Sequence, residues 1–347
     1  MVSIHDEGIV LEPTDNPFES ASVFNPAVIR VGNTVHVFYR AMDANDVSTV
    51  GYATFGPDLT LHHRLDHPVL VPEHPWEKHG LEDPRVVVID GTYYLTYVAY
   101  DGKEAKVAYA TSSDLFTFTK HGLISPTIPY SEIVSIFSTL PINSEYLRFA
   151  QFFRDTAAAA FNLIEKNAVL FPKKINGKFA LLHRIHPGIQ IILFDDFSQL
   201  TNDFWRTYLS ELPKWIVLEP KYPWEGQNIG AGPPPIPTDA GWLLLYNSRN
   251  QRRGKRSFTE TEDLSYSVGA ALLDFENPTK VLARLPEPLF VPKEKWEKVG
   301  RVNNVVFVTG TYLDADQLYI LYGAADKRIG AKSLKLTDLL DALKRSV

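Results

Sequence analysis

The sequence predicts an all-β protein: a five-bladed β-propeller in one domain over residues 1–347, with a short C-terminal helix and an insertion between blades 2 and 3 at about 126–163. Three observations predict it. An aromatic-Glu dipeptide recurs along the chain, at both ends as well as in the middle. Apolar strands in two- and three-membered runs follow each recurrence, separated by glycine turns. Aromatics make up 12% of the residues and Met only 2 of them, a balance that suits the pleated, half-buried surface of sheets.

The copies run in order. In the first, Phe18-Glu19 leads by seven residues to Asn25-Pro26, a strand from Ala27 to Ile29, a turn at Gly32-Asn33, and strands ending at Arg40 and Ala53. In the second, Trp76-Glu77 leads by the same interval to Asp83-Pro84, then Val86 to Ile89, a turn at Asp90-Gly91, and strands Thr92 to Tyr97 and Lys106 to Ala110. The third lacks the aromatic lead: it opens at Lys166-Asn167, turns at Asn176-Gly177, and continues through Phe179 to Arg184 and Gln190 to Phe194. The fourth opens at Trp224-Glu225 and runs from Asn228 to Ile236, then Trp242 to Asn247 and Tyr266 to Ala271. In the fifth, Trp296-Glu297 leads by seven to Asn303, then to Val305–Val308, Leu318–Tyr322 and Ile329–Lys332. A β-sandwich or two separate all-β domains is the alternative, but neither accounts for copies at both ends. Leu336 to Lys344 is amphipathic and reads as a helix capped by Thr337. Residues of about 126–163 match no copy, and their aromatic and arginine content fits a pocket wall or a homo-oligomer interface.

Composition excludes several classes. The net charge of −6 argues against nucleic acid, since the basic run Arg252 to Arg256 is followed at once by Glu260, Glu262 and Asp263. The absence of cysteine removes disulfides, thiolate metal sites and thiol nucleophiles. No apolar run is long enough to span a membrane, and Met1 to Gly8 does not read as a signal peptide, so the expected location is the cytoplasm, or the periplasm if a leader has been removed.

In a propeller, the polar residues that open the innermost strands line one shared pocket. These are Asn25, Asp83, Asn167, Asn228 and Asn303, with Arg40, Arg184, Asn247 and Asp326 at the ends of the partner strands. Asn-Pro and Asp-Pro starts also serve as plain turn chemistry. Asp83 stands apart, because Glu82 beside it and Arg85 two residues on are neighbours of the kind that tune an acid. The repeated Phe/Trp-Glu pairs read as structural joints between blades, with the Glu bonding local backbone.

Gly80-Leu-Glu-Asp-Pro-Arg85, Gly230-Ala-Gly-Pro-Pro-Pro-Ile236, Gly269-Ala-Ala-Leu-Leu-Asp274, Asn304-Val-Val-Phe307 and Leu321-Tyr-Gly-Ala-Ala-Asp326 together resemble glycoside hydrolase family 130, the β-mannoside phosphorylases and β-mannosidases, over about residues 20–336. The resemblance implies a five-bladed propeller acting on manno-oligosaccharides with inversion. It implies Asp83 as general acid, passing its proton to the glycosidic oxygen through a sugar hydroxyl. It places sugar-binding positions on Asn25, Arg40 and Asp326, and basic positions for phosphate or substrate on Lys166 and Arg184. Glu82, Arg85, Asn167, Asn228 and Asn247 complete the expected substrate-binding set.

Three positions depart from the phosphorylase pattern: Asn228 and Asn247 stand where Lys and His are usual, and Ser267 where Arg is. Losing cations weakens a phosphate site, so the sequence-based expectation is inverting hydrolysis, which needs a second carboxylate as base. Glu225, Glu260 and Glu262 are the candidates. A phosphorylase using Lys166, Arg184 and Arg249 or Arg252 is the alternative, and a non-catalytic sugar-binding propeller the second alternative. No cofactor and no metal are expected, with inorganic phosphate as co-substrate only if the enzyme is a phosphorylase.

Overall fold

The computed structural model describes residues 2–156, 161–251 and 264–346. The chain is mainly β, with few helices. Strand β1 (His5–Leu11) is followed by the first copy: β2 (Ser22–Val31), β3 (Thr34–Met42), β4 (Ser48–Phe55) and β5 (Leu61–Arg64). The second comprises β6 (Gly80–Ile89), β7 (Thr92–Tyr100), β8 (Ala105–Ser112) and β9 (Thr119–Leu123). Helices α1 (Tyr130–Phe137) and α2 (Ser144–Thr156) come next. The third copy is β10 (Lys166–Leu170), β11 (Phe179–Arg184), β12 (Ile189–Phe194), helix α3 (Asn202–Ser210) and β13 (Ile216–Leu218). The fourth is β14 (Asn228–Ala231), β15 (Ile236–Thr238), β16 (Gly241–Gln251), β17 (Leu264–Leu273) and β18 (Val281–Arg284). Helix α4 (Lys295–Lys298) precedes β19 (Val306–Asp314), β20 (Gln317–Ala324) and β21 (Arg328–Lys335), and α5 (Leu336–Lys344) ends the described chain.

Four antiparallel sheets result. The largest runs β2-β3-β4-β6-β7-β8-β9 with β5 on β4, and its halves are joined by a single parallel bridge, Ser48 to Gly80. The others are β10-β11-β12-β13, β14-β16-β17-β18 with β15 on β16, and β1-β21-β20-β19. The opening strands pack in succession: β2 against β6, β6 against β10, β10 against β14, β16 against β19, and β19 against β2. The fourth copy splits its opening strand because Pro233 to Pro235 have no N–H to give a ladder.

Each copy gains an outer strand beyond the three read from sequence: β5, β9, β13, β18 and, for the last, β1 from the other end of the chain. Four of these, at three to five residues, are too short to signal themselves. The core lies between neighbouring sheets. Val37, Phe55 and Leu321 pack the first copy against the last, Phe38, Val86 and Leu95 the first against the second, and Val169, Leu182 and Leu244 the third against the fourth. The turns behave as their residues require: Asp90-Gly91 and Asn176-Gly177 all have φ between 51° and 80°, which a type I′ hairpin needs. Helix α5 occupies the span read for it. Its first turn, however, is held by Asp316, which accepts from the Thr337 N–H and hydroxyl at 3.1 and 2.7 Å, so Thr337 is not the cap.

Candidate active site

In the first three copies the opening residue sits on a backbone bulge. Pairing slips between Phe24 and Ala27 in β2, between Glu82 and Arg85 in β6, and between Lys166 and Val169 in β10. Asn25, Asp83 and Asn167 occupy those slips with φ of 48°, 50° and 59°, a left-handed conformation that Asn and Asp tolerate best among residues with a side chain. The bulge turns each side chain out of the ladder and toward its neighbours in other copies. In the last copy the left-handed residue is Asn304, at φ 60°. Asn303, chosen by counting seven from Trp296, is exposed and accepts the Gly300 N–H at 3.3 Å.

Asp83 is gripped from the first copy. Its Oδ1 accepts from Asn25 Nδ2 at 2.7 Å and lies 3.5 Å from Arg40 Nη1. Gly323 makes room for this: a Cβ there would stand 2.1 Å from Asn25 Oδ1. Arg40 also donates through Nη2 to Glu82 Oε1 at 2.7 Å and through Nε to Ser48 at 2.8 Å, with its guanidinium over the Phe24 ring. Glu82 Oε2 accepts from Lys166 Nζ at 2.9 Å. Burial would push the Glu82 carboxyl up, but Arg40 and Lys166 bring it down to about 2, so it stays ionised. Burial also opposes the charge on Arg40, and Glu82, Asp83 and Asp326 together raise its pKa nonetheless. For Asp326 burial wins: its carboxyl is pushed up to about 6, with Arg40 opposing and Asp83 adding to the rise.

A second, positive cluster adjoins the first. Lys166 pairs in register with Arg184 across β10 and β11. Burial, then Arg184, Arg249 and Lys166, hold the His186 imidazole neutral, well below its usual pKa. Burial raises Tyr266, and the same three cations act on it in the opposite sense. Arg184 Nε is buried without a hydrogen-bond partner among the described residues. Helix α2 walls this side, with Phe149 stacked on His186 at 5.0 Å between ring centres and Phe153 at 5.8 Å. Three cations bearing on one buried place, beside an acid, are what a dianion needs for recognition. Neither His186 nor Tyr266 is among the site residues expected from the sequence. Their clustering depends on contacts among separate copies that spacing does not reveal.

Three expected site residues are engaged elsewhere. Arg85 is fully buried and, among the described residues, donates to backbone, to Gly232 O at 2.7 Å, Asp83 O at 2.9 Å and Pro84 O at 3.0 Å, with Nη2 left without a partner. It fastens the second copy to the fourth. Asn247 engages both ends of its amide with Val308, donating to its carbonyl at 2.9 Å and accepting its N–H at 2.8 Å, which ties it to a neighbouring strand. Glu225 is wholly buried and accepts four bonds: from Lys221 N at 2.5 Å, Tyr222 N at 2.8 Å, and Tyr246 and Arg284 at 2.6 Å each. A carboxylate so filled has neither exposure nor an acceptor site for water, and it is corrected from candidate base to scaffold. Asn167 and Asn228 are buried at the openings of β10 and β14, with Asn167 Nδ2 lying against Gly230. Glu260, Glu262 and Arg252 lie outside the described residues.

The sequence profile of a family described as beta-1,4-mannooligosaccharide phosphorylase, glycoside hydrolase family 130, matches residues 4–345. The chain belongs to that family. Among its relatives, a 1,2-beta-oligomannan phosphorylase of Thermoanaerobacter sp. (strain X514) is 32% identical over 97% of this chain and 97% of its own. A beta-1,2-mannobiose phosphorylase of the same organism is 32% identical over 92% and 93%. A solved structure described as from the family of mannoside phosphorylases that contains glycoside hydrolases targeting β-1,2 mannosidic linkages in Candida mannan is 26% identical, covers 97% of this chain and 94% of its own, and superposes with a TM-score of 0.73. This family 130 chain thus shares its overall fold with a member of a family described as containing both phosphorylases and hydrolases.

Proposed function

We propose that this family 130 protein is an inverting β-mannoside phosphorylase built on five propeller blades. Each run of four strands is counted as one blade, and the eight-stranded sheet as two. The observation that carries the reading is the placement of Lys166, in register with Arg184 and joined through Glu82 to the Asp83 network, with Arg249 acting on the same buried His186 and Tyr266. Phosphate held there would attack the anomeric carbon while Asp83 supplies the proton for the departing oxygen through a sugar hydroxyl, giving mannose 1-phosphate and a shortened acceptor. Asn25 and Arg40 orient Asp83, and Asp326, whose carboxyl feels the charges of Arg40 and Asp83, would grip the same mannosyl unit. Both phosphorylase relatives described above act on β-1,2 linkages by name, which makes β-1,2-linked mannobiose the substrate of choice.

Hydrolysis is the second reading, favoured by Asn228 and Asn247 at positions where phosphorylases usually carry cations and by the hydrolases named among the structural relatives. Against it, Glu225 is sealed in the scaffold. The deciding experiment follows product from β-1,2-linked mannobiose with and without inorganic phosphate, in the wild type and in Asp83→Asn. Mannose 1-phosphate formed only with phosphate, and reduced about 10²–10⁴-fold in Asp83→Asn, is the expected result. Mannose released equally without phosphate establishes the hydrolase instead.

A further inference from the structure

Glu82 stands between two cations to which the proposed reaction gives different tasks. One oxygen accepts from Arg40, the other from Lys166, at 2.7 and 2.9 Å, and only 5% of the residue is exposed. Arg40 reaches from Glu82 to Asp83, on the sugar side. Lys166 sits in register with Arg184, on the anion side. Glu82 comes from β6, Arg40 from β3 and Lys166 from β10, so three copies meet in this one carboxylate. Both of its oxygens are taken by cations, which leaves it poorly placed to exchange protons itself.

We propose that Glu82 is a positioning residue that couples the phosphate half of the site to the mannosyl half. The proposal rests on the phosphorolytic reading above. Phosphate arriving at Lys166 draws the ammonium group toward itself and leaves Glu82 neutralised chiefly by Arg40. The Arg40 guanidinium then shifts its weight between Glu82 and Asp83, and the mannosyl side feels the anion through it. Removing the carboxylate disconnects the two halves while each keeps its own cation.

The test is steady-state phosphorolysis of β-1,2-linked mannobiose in the wild type, Lys166→Gln, Glu82→Gln and the double variant. Lys166→Gln is expected to raise the KM for phosphate about tenfold, the loss of one charge-assisted bond, with or without the Glu82→Gln change. With Glu82 present it also raises the KM for mannobiose about fivefold. In the Glu82→Gln background that second effect disappears, so the cycle is non-additive for mannobiose alone. A merely structural Glu82 would not make the mannobiose KM depend on a lysine of the anion site. A mannobiose KM that ignores Lys166, or answers to it equally in both backgrounds, overturns the coupling. If Glu82→Gln does not fold, as thermal melting would reveal, Glu82→Asp, which keeps the charge but cannot reach both cations, takes its place in the cycle with the same expected and overturning outcomes. Phosphate-independent turnover in the wild type would remove the phosphorolytic reading and the coupling with it, whereas failure of the coupling alone leaves the wild type phosphate-dependent.

Discussion

Two groups of buried carboxylates differ in where their partners come from. The four lead glutamates, Glu19, Glu77, Glu225 and Glu297, are fully buried, and each accepts from a tyrosine of its own copy: Tyr39, Tyr97, Tyr246 and Tyr322, at 2.6 to 2.7 Å. Each also pairs with one cation, Arg64, Lys120, Arg284 or Lys332. In three of them, two backbone N–H groups of the same lead fill the remaining oxygen, and in the first copy Thr14 and Asn16 side chains do so. Glu82 and Asp83, by contrast, are held by Asn25, Arg40 and Lys166 from other copies. A carboxylate satisfied locally braces its own sheet, and one shared among sheets belongs to the place where they meet. The third copy, which lacks the lead, keeps a local brace of different composition: His183 lies between Glu165 at 2.6 Å and Tyr208 of α3 at 2.7 Å, all buried. On the next residue along, it presents Arg184 to the anion cluster.

The contrast breaks most visibly at Glu225. Glu225→Ala strands a buried arginine and two backbone donors, and is expected to lower stability by about 3–5 kcal/mol in urea denaturation while kcat of the folded fraction holds. Loss of turnover without loss of stability would return Glu225 to the chemistry. Asp326 tests the shared group. Its pKa is about 6 in the fold against about 3.9 unfolded, so the folded state holds the proton more tightly. The stability this confers is complete below the unfolded value and lost as pH rises through about 6. Asp326→Asn is therefore expected to exceed the wild type in stability at pH 7 by up to about 3 kcal/mol and to converge with it near pH 4. Urea titrations at the two pH values check this, and a constant difference would show that Asp326 does not titrate as its burial implies. The smallest effect is expected at Thr14, whose hydroxyl donates to Glu19 at 2.6 Å: Thr14→Val should cost about 1 kcal/mol, because Asn16, Tyr39 and Arg64 remain. A loss as large as that of Glu225→Ala would mean that the four braces are not equivalent.

What is legible in the sequence follows the same division. The lead glutamates repeat with their surroundings, so their bracing role can be read from recurrence alone, and only Glu225 is drawn away from it, by the search for a base. Asn25 and Asp83 are visible because a bulge needs Asn or Asp at a fixed point ahead of a strand. Asn303 takes the place of Asn304 in the sequence reading because the lead of the last copy is a four-residue α-turn where those at Phe18 and Trp76 are three-residue turns, a difference that counting does not detect. Arg85 and Asn247 look like ligand contacts from their positions, yet their partners, Gly232 and Val308, lie 147 and 61 residues away. The anion cluster is half visible: its cations can be named, but their convergence with His186 and Tyr266 is a property of the assembled copies.

Strand β1 closes the last sheet across the whole length of the chain. Lys332 reaches Asp6 at 2.7 Å, a separation of 326 residues, and the same lysine bonds Glu297. Strand β1 precedes all the other described strands and its partner β21 follows them, so this sheet can close only once both have been made. Such a latch is among the slowest contacts a chain can form, and a truncated product that lacks it keeps an open edge on which a second molecule can pair. Completion of the fold thus reports that the final copy has been made.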